Sequence, residues 1–328
     1  MKKNILISGA GGAATPILID ELKHCGFCVT AVDMDKFSVG FLHADNSYVV
    51  PAAIDSAFSE IIKNIVQKES IDLYIPLVDE ELLYACSLAS SNLRVLLPAK
   101  HFVELCLNKF DLMIKLREIG VGVPETRAIK DANFFSGYFI VKPIMGRGSR
   151  GVKKLAGKDD IKEYMQTSQY KEGDLLAQEF ISGEEFTVSV VVDCYGNMIS
   201  VVPKRIISKK GITRAAVSEK NQLIFEECKQ ICEKLKPCGP FNVQLKICEK
   251  TKRSYIFEIN PRFSTSITLT MRSGVNELAM LAKSFLYNKR LEASPEWQEG
   301  IVLVRKNQDT FMSYEEYMHK LNHVKDNI

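Results

Sequence analysis

The stretch FNVQLKICEKTKRSYIFEINPRF, residues 241–263, concentrates side chains able to hold a hard cation. Alternate residues on a strand share a face, so Glu258, Asn260 and Arg262 point the same way. With 249–253 as a hairpin loop, residue 248 pairs with 254, which sets Gln244 opposite Glu258 and Asn242 opposite Asn260. A carboxylate and two or three amide oxygens then form one patch that ends in a guanidinium. Such a set suits Mg2+, which takes one or two carboxylates and completes its shell with phosphate oxygens and water. A charge buried there without a partner would be costly. The alternative is a solvated outer face, with Phe257 and Ile259 supplying the buried alternation.

Two glycine runs could cradle phosphate. In NILISGAGGAATP, residues 4–16, Gly9, Gly11 and Ala14 fit the G-x-G-x-x-G/A pattern of dinucleotide sites. Asp33 ends the next apolar strand, about where a ribose-binding acid would stand. The second run, MGRGSRGV, places Gly146, Gly148, Ser149 and Gly151 between two strands. No helix N-terminus follows it, so a pyrophosphate has nothing to dock on. A glycine hairpin of this kind instead closes its backbone N–H groups over a triphosphate, as in protein kinases. Lys142, on the strand before it, could then reach the phosphates. No H-R-D, D-F-G or G-K-[ST] after a glycine run occurs, which removes the kinase and Walker A readings. A flexible surface hairpin with a solvated lysine is the plain alternative.

These groups need elements to position them. The first hundred residues or so alternate strand and helix (NILIS, CVTAVD, SYVV, DLYIPL, LRVLLP, with helices at 55–69 and 79–90), a pattern for a parallel sheet covered by helices. One amphipathic helix is expected across KHFVELCLNKFDLMIKLREIG, ending near Gly120. Beyond it the pattern changes to longer strands and hairpins, an α+β signature, with helices at 159–168, 219–236 and 275–287 and a basic loop at SKKGITRAAV. The 328 residues suit two domains, or one large one with subdomains, and the 46% hydrophobic, 25% charged composition is that of a globular protein. A net charge of +3 is too small to point to nucleic acid. No stretch is long and apolar enough to cross a bilayer and the N-terminal apolar run is a first strand, so a cytoplasmic location is expected. Cys25 and Cys28 form a C-x-x-C, but they follow a helix instead of opening one, which favours structural thiols.

NVQL…FEINPRFSTS resembles the metal- and phosphate-binding signature of the ATP-grasp superfamily, most closely its carbamoyl phosphate synthetase large-subunit-like members. The resemblance covers nearly the whole chain and implies an α/β architecture. A parallel-sheet pre-ATP-grasp domain would span 1–107. An ATP-grasp domain would span 108–328, with a small lid subdomain at about 110–182 and a larger metal-binding subdomain at about 183–328. By the same resemblance Gln244, Glu258 and Asn260 hold magnesium, two ions with Glu258 bridging them, and Mn2+ is an alternative ion. Arg262 would contact the transferred phosphoryl group, Lys109 and Lys142 the ATP phosphates, and the 146–151 loop would cover them. Glu179, Phe180 and Ile181 would line the adenine, and Glu185, in preference to Glu184, would bind the ribose. The chain has one such unit where a complete synthetase large subunit has a duplicated pair, so a free-standing carbamoyl phosphate synthetase is not expected.

The resemblance implies an ATP-dependent carboxylate–amine ligase acting through an acyl phosphate and releasing ADP and phosphate. Arg205 and Arg272 are the expected carboxylate contacts, with Lys204 and Arg214 as further candidates, because guanidinium forks suit a carboxylate or an acyl phosphate. Asp79, Glu80 and Glu81 follow the end of a parallel strand, and are read first as acids matching a helix dipole. Two other functions stay open: an ATP-grasp kinase acting on a small molecule, and a dinucleotide-dependent oxidoreductase built on the N-terminal glycines. Partners would be small carboxylates and amines, with no nucleic acid or membrane, and a homodimer is among the assemblies such proteins form.

Overall fold

A computed structural model describes residues 2–293, 296–306, 311–322 and 324–326. The N-terminal unit runs β1 (Asn4–Ser8), α1 (Thr15–His24), β2 (Cys28–Asp33), β3 (Asn46–Val49), α2 (Phe58–Lys68), β4 (Leu73–Ile75), α3 (Leu82–Leu88), β5 (Arg94–Val95) and α4 (Lys100–Leu107). Its strands are parallel, and both faces of the sheet are covered. Ile5, Ile7, Val29 and Ala31 face α1, whereas Leu6, Val32, Tyr48 and Tyr74 face α2 and α3. Burial on both sides is why these strands read as unbroken apolar runs.

The helix expected across 100–120 is two helices, because Asn108 leaves the helical region (φ −94°, ψ 98°) and starts α5 (Lys109–Glu118). Its side-chain oxygen accepts the Phe110 and Asp111 amides, an N-cap in mid-pattern. Both helices bury their apolar faces against the large sheet described next, so α5 does not belong with the lid.

The lid is a four-stranded antiparallel sheet in the order β6 (Thr126–Ala128), β9 (Leu175–Glu179), β7 (Phe139–Pro143), β8 (Lys153–Leu155), backed by α6 (Lys158–Thr167). The remaining strands are β10 (Gly183–Val192), β11 (Met198–Lys210), β12 (Ile212–Ser218), β13 (Gly239–Cys248), β14 (Ser254–Asn260) and β15 (Val302–Val304). They form an antiparallel sheet ordered β14-β13-β10-β11-β12-β15. One face carries Phe186, Val188, Val243 and Leu245 onto α4, α5 and α7 (Gln222–Leu235). The other face meets α8 (Ile267–Arg272) and α9 (Glu277–Tyr287) at one end and opens to the lid at the other. The basic stretch expected as a loop is a tight hairpin instead, turning at Gly211 with φ +70°.

After β15 the chain leaves the large sheet. It passes through α10 (Tyr314–Asn322) to β16 (Val324–Asp326), which pairs in parallel with β3. Residues 324–326 were expected in the second domain, yet they complete the first domain's sheet.

Candidate active site

A cleft of about 500 Å3 lies between the lid and the open end of the large sheet. Its floor is the hairpin expected from sequence: Asn242 opposite Asn260 and Gln244 opposite Glu258. Nearer the turn the partners shift by one residue, Ile247 facing Ser254, and a bulge after Gln244 absorbs the difference. Thr187 of β10 sits beside Gln244 and donates its hydroxyl to Asn242 Oδ1 at 2.7 Å, fixing that amide. Glu258, Asn260, Gln244 and Glu185 all line the cleft.

Cations converge on this floor from three elements. The break at Asn108 places Lys109 in the first turn of α5, buried, with Nζ donating to Gly146 O at 2.6 Å and 3.6 Å from Glu258 Oε1. Lys142 is 5% exposed; its Nζ donates to Gln178 Oε1 and to Phe257 O, both at 2.9 Å. Gln178 is itself aimed by donating to Thr126 Oγ1. Burial lowers the Lys142 ammonium to about 8, although Glu258 pulls the other way. Lys209, near the tip of the β11–β12 hairpin, donates to Glu185 at 2.7 Å and to Gln244 Oε1 at 3.4 Å. The donor set fits a hard divalent ion: one carboxylate, amide oxygens, and ammonium groups already drawn to two of the oxygens. Among the described residues no group of three or more His, Cys, Asp or Glu side chains is placed to hold a metal, so an ion on this floor would depend on the amide oxygens beside Glu258.

The glycine loop forms the cleft's outer wall. Gly146, Gly148 and Ser149 line it with φ of +125°, +66° and +59°, and the lid strand end brings Glu179, Phe180 and Ile181. Phe180 lies under Lys154 at 3.8 Å and Lys246 at 5.2 Å, an aromatic wall with two cations on it. Arg262 is at the far end, bonded through Nε to Asp79 and through Nη1 to Phe263 O at 3.0 Å. Burial opposes its charge, but Asp79 holds the guanidinium above its ordinary range. Glu80 accepts from Arg147 of the glycine loop at 2.7 Å. Two of the three acids expected to serve a helix dipole therefore reach the second domain. Glu81 alone caps locally, accepting the Leu77 and Val78 amides at 3.0 Å.

Five expected or candidate site residues are not brought together with the rest. Gly151 packs under the lid, where a Cβ would meet the Tyr170 ring at 2.4 Å, and its carbonyl accepts from Tyr164. Arg205 pairs with Phe186, so strand alternation turns it to the opposite face, onto Glu219 at 2.7 Å and toward Glu184. Lys204 takes the inner face but is sealed beneath α8 and α9. Arg272 is exposed at the end of α8, whose inward positions are Ile267, Leu269 and Thr270. Arg214 also lines neither this cleft nor the cavity beside it. Sequence reasoning missed Lys209, Thr187 and Arg147; alternation around the 244–260 pair could have found Thr187 once β10 was known to be the neighbour.

A second cavity of about 580 Å3 adjoins the cleft and shares Arg147, Ile212, Arg262, Ser264 and Thr265 with it. Its other wall is the N-terminal glycine turn and the C-terminal ends of β1 to β4. In that turn Asp33 Oδ2 accepts the Gly11 amide at 2.8 Å.

Residues 5–94 match the PylC-like N-terminal domain and residues 106–266 the ATP-grasp domain. The Bacillus subtilis formate-dependent phosphoribosylglycinamide formyltransferase is 24% identical over 309 residues, 87% of this chain and 77% of that protein. A carbamoyl-phosphate synthase from Methanobrevibacter smithii is 23% identical over 264 residues, 72% of this chain and 68% of that one. The crystal structure of an L-amino acid ligase from Bacillus licheniformis superposes with a TM-score of 0.70 at 20% identity, covering 89% of this chain and 75% of the ligase. The chain thus joins a PylC-like N-terminal domain to an ATP-grasp domain, and it is similar to carbamoyl-phosphate synthase.

Proposed function

We propose that the protein is an ATP-dependent carboxylate–amine ligase that works through an acyl phosphate. The observation that supports this most directly is the convergence of Lys109 and Lys142 on Glu258, under a glycine loop that Lys109 itself holds. In this reading Lys109 and Lys142 bind the ATP phosphates, and Gly146, Gly148 and Ser149 close backbone groups over them. Glu179, Phe180 and Ile181 enclose the adenine, and Glu185 accepts from the ribose once Lys209 swings off it.

Glu258, Asn260 and Gln244 are the residues that would hold Mg2+, with Glu258 shared if two ions are bound. A bound Mg2+ neutralises and orients phosphate oxygens. The substrate carboxylate oxygen forms a bond to the γ-phosphorus as the bond to the bridging oxygen breaks, and ADP leaves with that electron pair. The amine then bonds to the acyl carbon, the carbon–oxygen bond to phosphate breaks, and the amine loses a proton to solvent. Arg262, aimed by Asp79, neutralises the charge that grows on the transferred phosphoryl group. No protein nucleophile is consumed.

Glu258→Gln keeps the size and the strand but removes the one carboxylate of the floor. Its ADP formation is expected to fall to background with an unchanged melting temperature. Turnover at the wild-type rate would overturn the metal assignment. A screen of carboxylates against amines for phosphate release identifies the substrates.

A further inference from the structure

The cavity beside the cleft is built unlike a phosphate site. Its glycine turn has the sequence of an anion cradle, but the Gly11 amide already donates to Asp33 Oδ2, and Asp33 Oδ1 takes the Asp35 amide. A phosphate placed there would meet a carboxylate. Of the two cations lining the cavity, Arg147 is paired with Glu80, and Arg262 gives Nε to Asp79 and Nη1 to Phe263 O, which leaves Nη2 for a single carboxylate. Against them stand Asp33 and Asp35, and among the described residues no lysine or arginine pairs with either. Ser38 gives an independent sign of a ligand. It lines this cavity, is 5% exposed, and its Oγ has no hydrogen-bond partner. It lies close to Asp33 at the turn, since a Cβ on Gly11 would come within 2.9 Å of Ser38 Oγ and 3.4 Å of Asp33 Oδ2. A carboxylate and an orphaned hydroxyl side by side are acceptors for a group with several protons to give. Val50, Pro51, Phe58 and Leu77 add apolar lining to the same cavity.

We propose that this cavity takes a phosphate-free amino acid with an aliphatic stem, its ammonium on Asp33 and Ser38 and its reacting carboxylate toward Arg262. The proposal rests on the ligase reading for the identity of the reacting end. It separates this chain from the formate-dependent phosphoribosylglycinamide formyltransferase it resembles, a protein named for a phosphate ester.

The test uses the full chain with MgADP and calorimetry on three probes: 5-aminopentanoate, pentanoate and ribose 5-phosphate. Binding of 5-aminopentanoate is expected to be about tenfold tighter than pentanoate, the scale of one charge-assisted hydrogen-bond set, with no measurable ribose 5-phosphate binding. Asp33→Asn should bring the first two probes to parity. Ser38→Ala, which removes a hydroxyl that holds nothing in the fold, should narrow the preference severalfold at an unchanged melting temperature. Ribose 5-phosphate or pentanoate binding as tightly as the amino acid would overturn the assignment, as would a preference that Ser38→Ala and Asp33→Asn leave intact. Hydroxylamine trapping with MgATP keeps the two readings apart. A binding preference without any hydroxamate sinks the ligase reading alone, whereas hydroxamate from pentanoate and 5-aminopentanoate at equal efficiency sinks the cavity assignment alone.

Discussion

Lys142 and Lys204 are a natural pair for comparison. Each sits on a strand, each is almost fully buried, and burial lowers each ammonium to about 8. Lys142 takes two acceptors, Gln178 and Phe257 O, and faces the cleft. Lys204 donates to Ser189 at 2.7 Å and Thr270 at 2.9 Å, with Glu277 close by and itself bonded to Ser189, all sealed under α8 and α9. The same perturbation therefore marks a group poised for a ligand in one region and a group that ties helices to a sheet in the other. What separates them is whether a proton of the ammonium can still face an open space.

The comparison breaks most sharply if the two lysines are made apolar. Lys142→Met should lower ADP formation by about 100- to 1,000-fold, the scale of losing one transition-state donor, with little change in melting temperature. Lys204→Met strands Glu277 in the core and should cost about 3–5 kcal/mol of stability, read in urea unfolding. Adding Glu277→Leu to Lys204→Met should return most of that loss. If Lys204→Met instead kills activity at wild-type stability, the sealed network reaches the chemistry and the comparison fails. The smallest effect is on pH. Both lysines stay protonated to about 10.5 in the unfolded chain but only to about 8 when folded. Between those values the unfolded state binds more protons, so their contribution to stability rises with pH across that window. ATP affinity should move the other way, weakening as pH climbs through about 8 and Lys142 loses its charge. Parallel unfolding and ATP-binding titrations from pH 7 to 10 check both signs.

The hairpin at 241–263 was legible because strand alternation and a polar turn fix its register from local sequence, and both key pairs stand as expected. Lys204 and Arg205 were not, since alternation says that they face opposite ways without saying which side is the cleft. That depends on β10 and β13 as neighbours, 15 or more residues away in sequence. Asn108 carried a readable cap, an Asn followed by Asp111 three residues on, but the apolar period ran through it and won the reading. Lys209 was hidden by a basic stretch that looked like a loop, because nothing local announces that both arms pair along their whole length. The N-terminal glycine turn is a true mark of the fold, and its amide is closed by the very acid that first suggested a ribose.

The return of β16 to the first sheet has a consequence for how the chain is made. Val324 to Asp326 pair with Ser47 to Val49, and Lys325 bonds Tyr48 and Glu69, so this contact joins positions nearly the full chain apart. While the polypeptide is being synthesised, the outer edge of β3 is an unpaired parallel edge through the production of the whole second domain. Such an edge is open to a neighbouring nascent chain. Closing it is a late, long-range event that follows local folding, so the N-terminal domain, synthesised before the second, is finished after it.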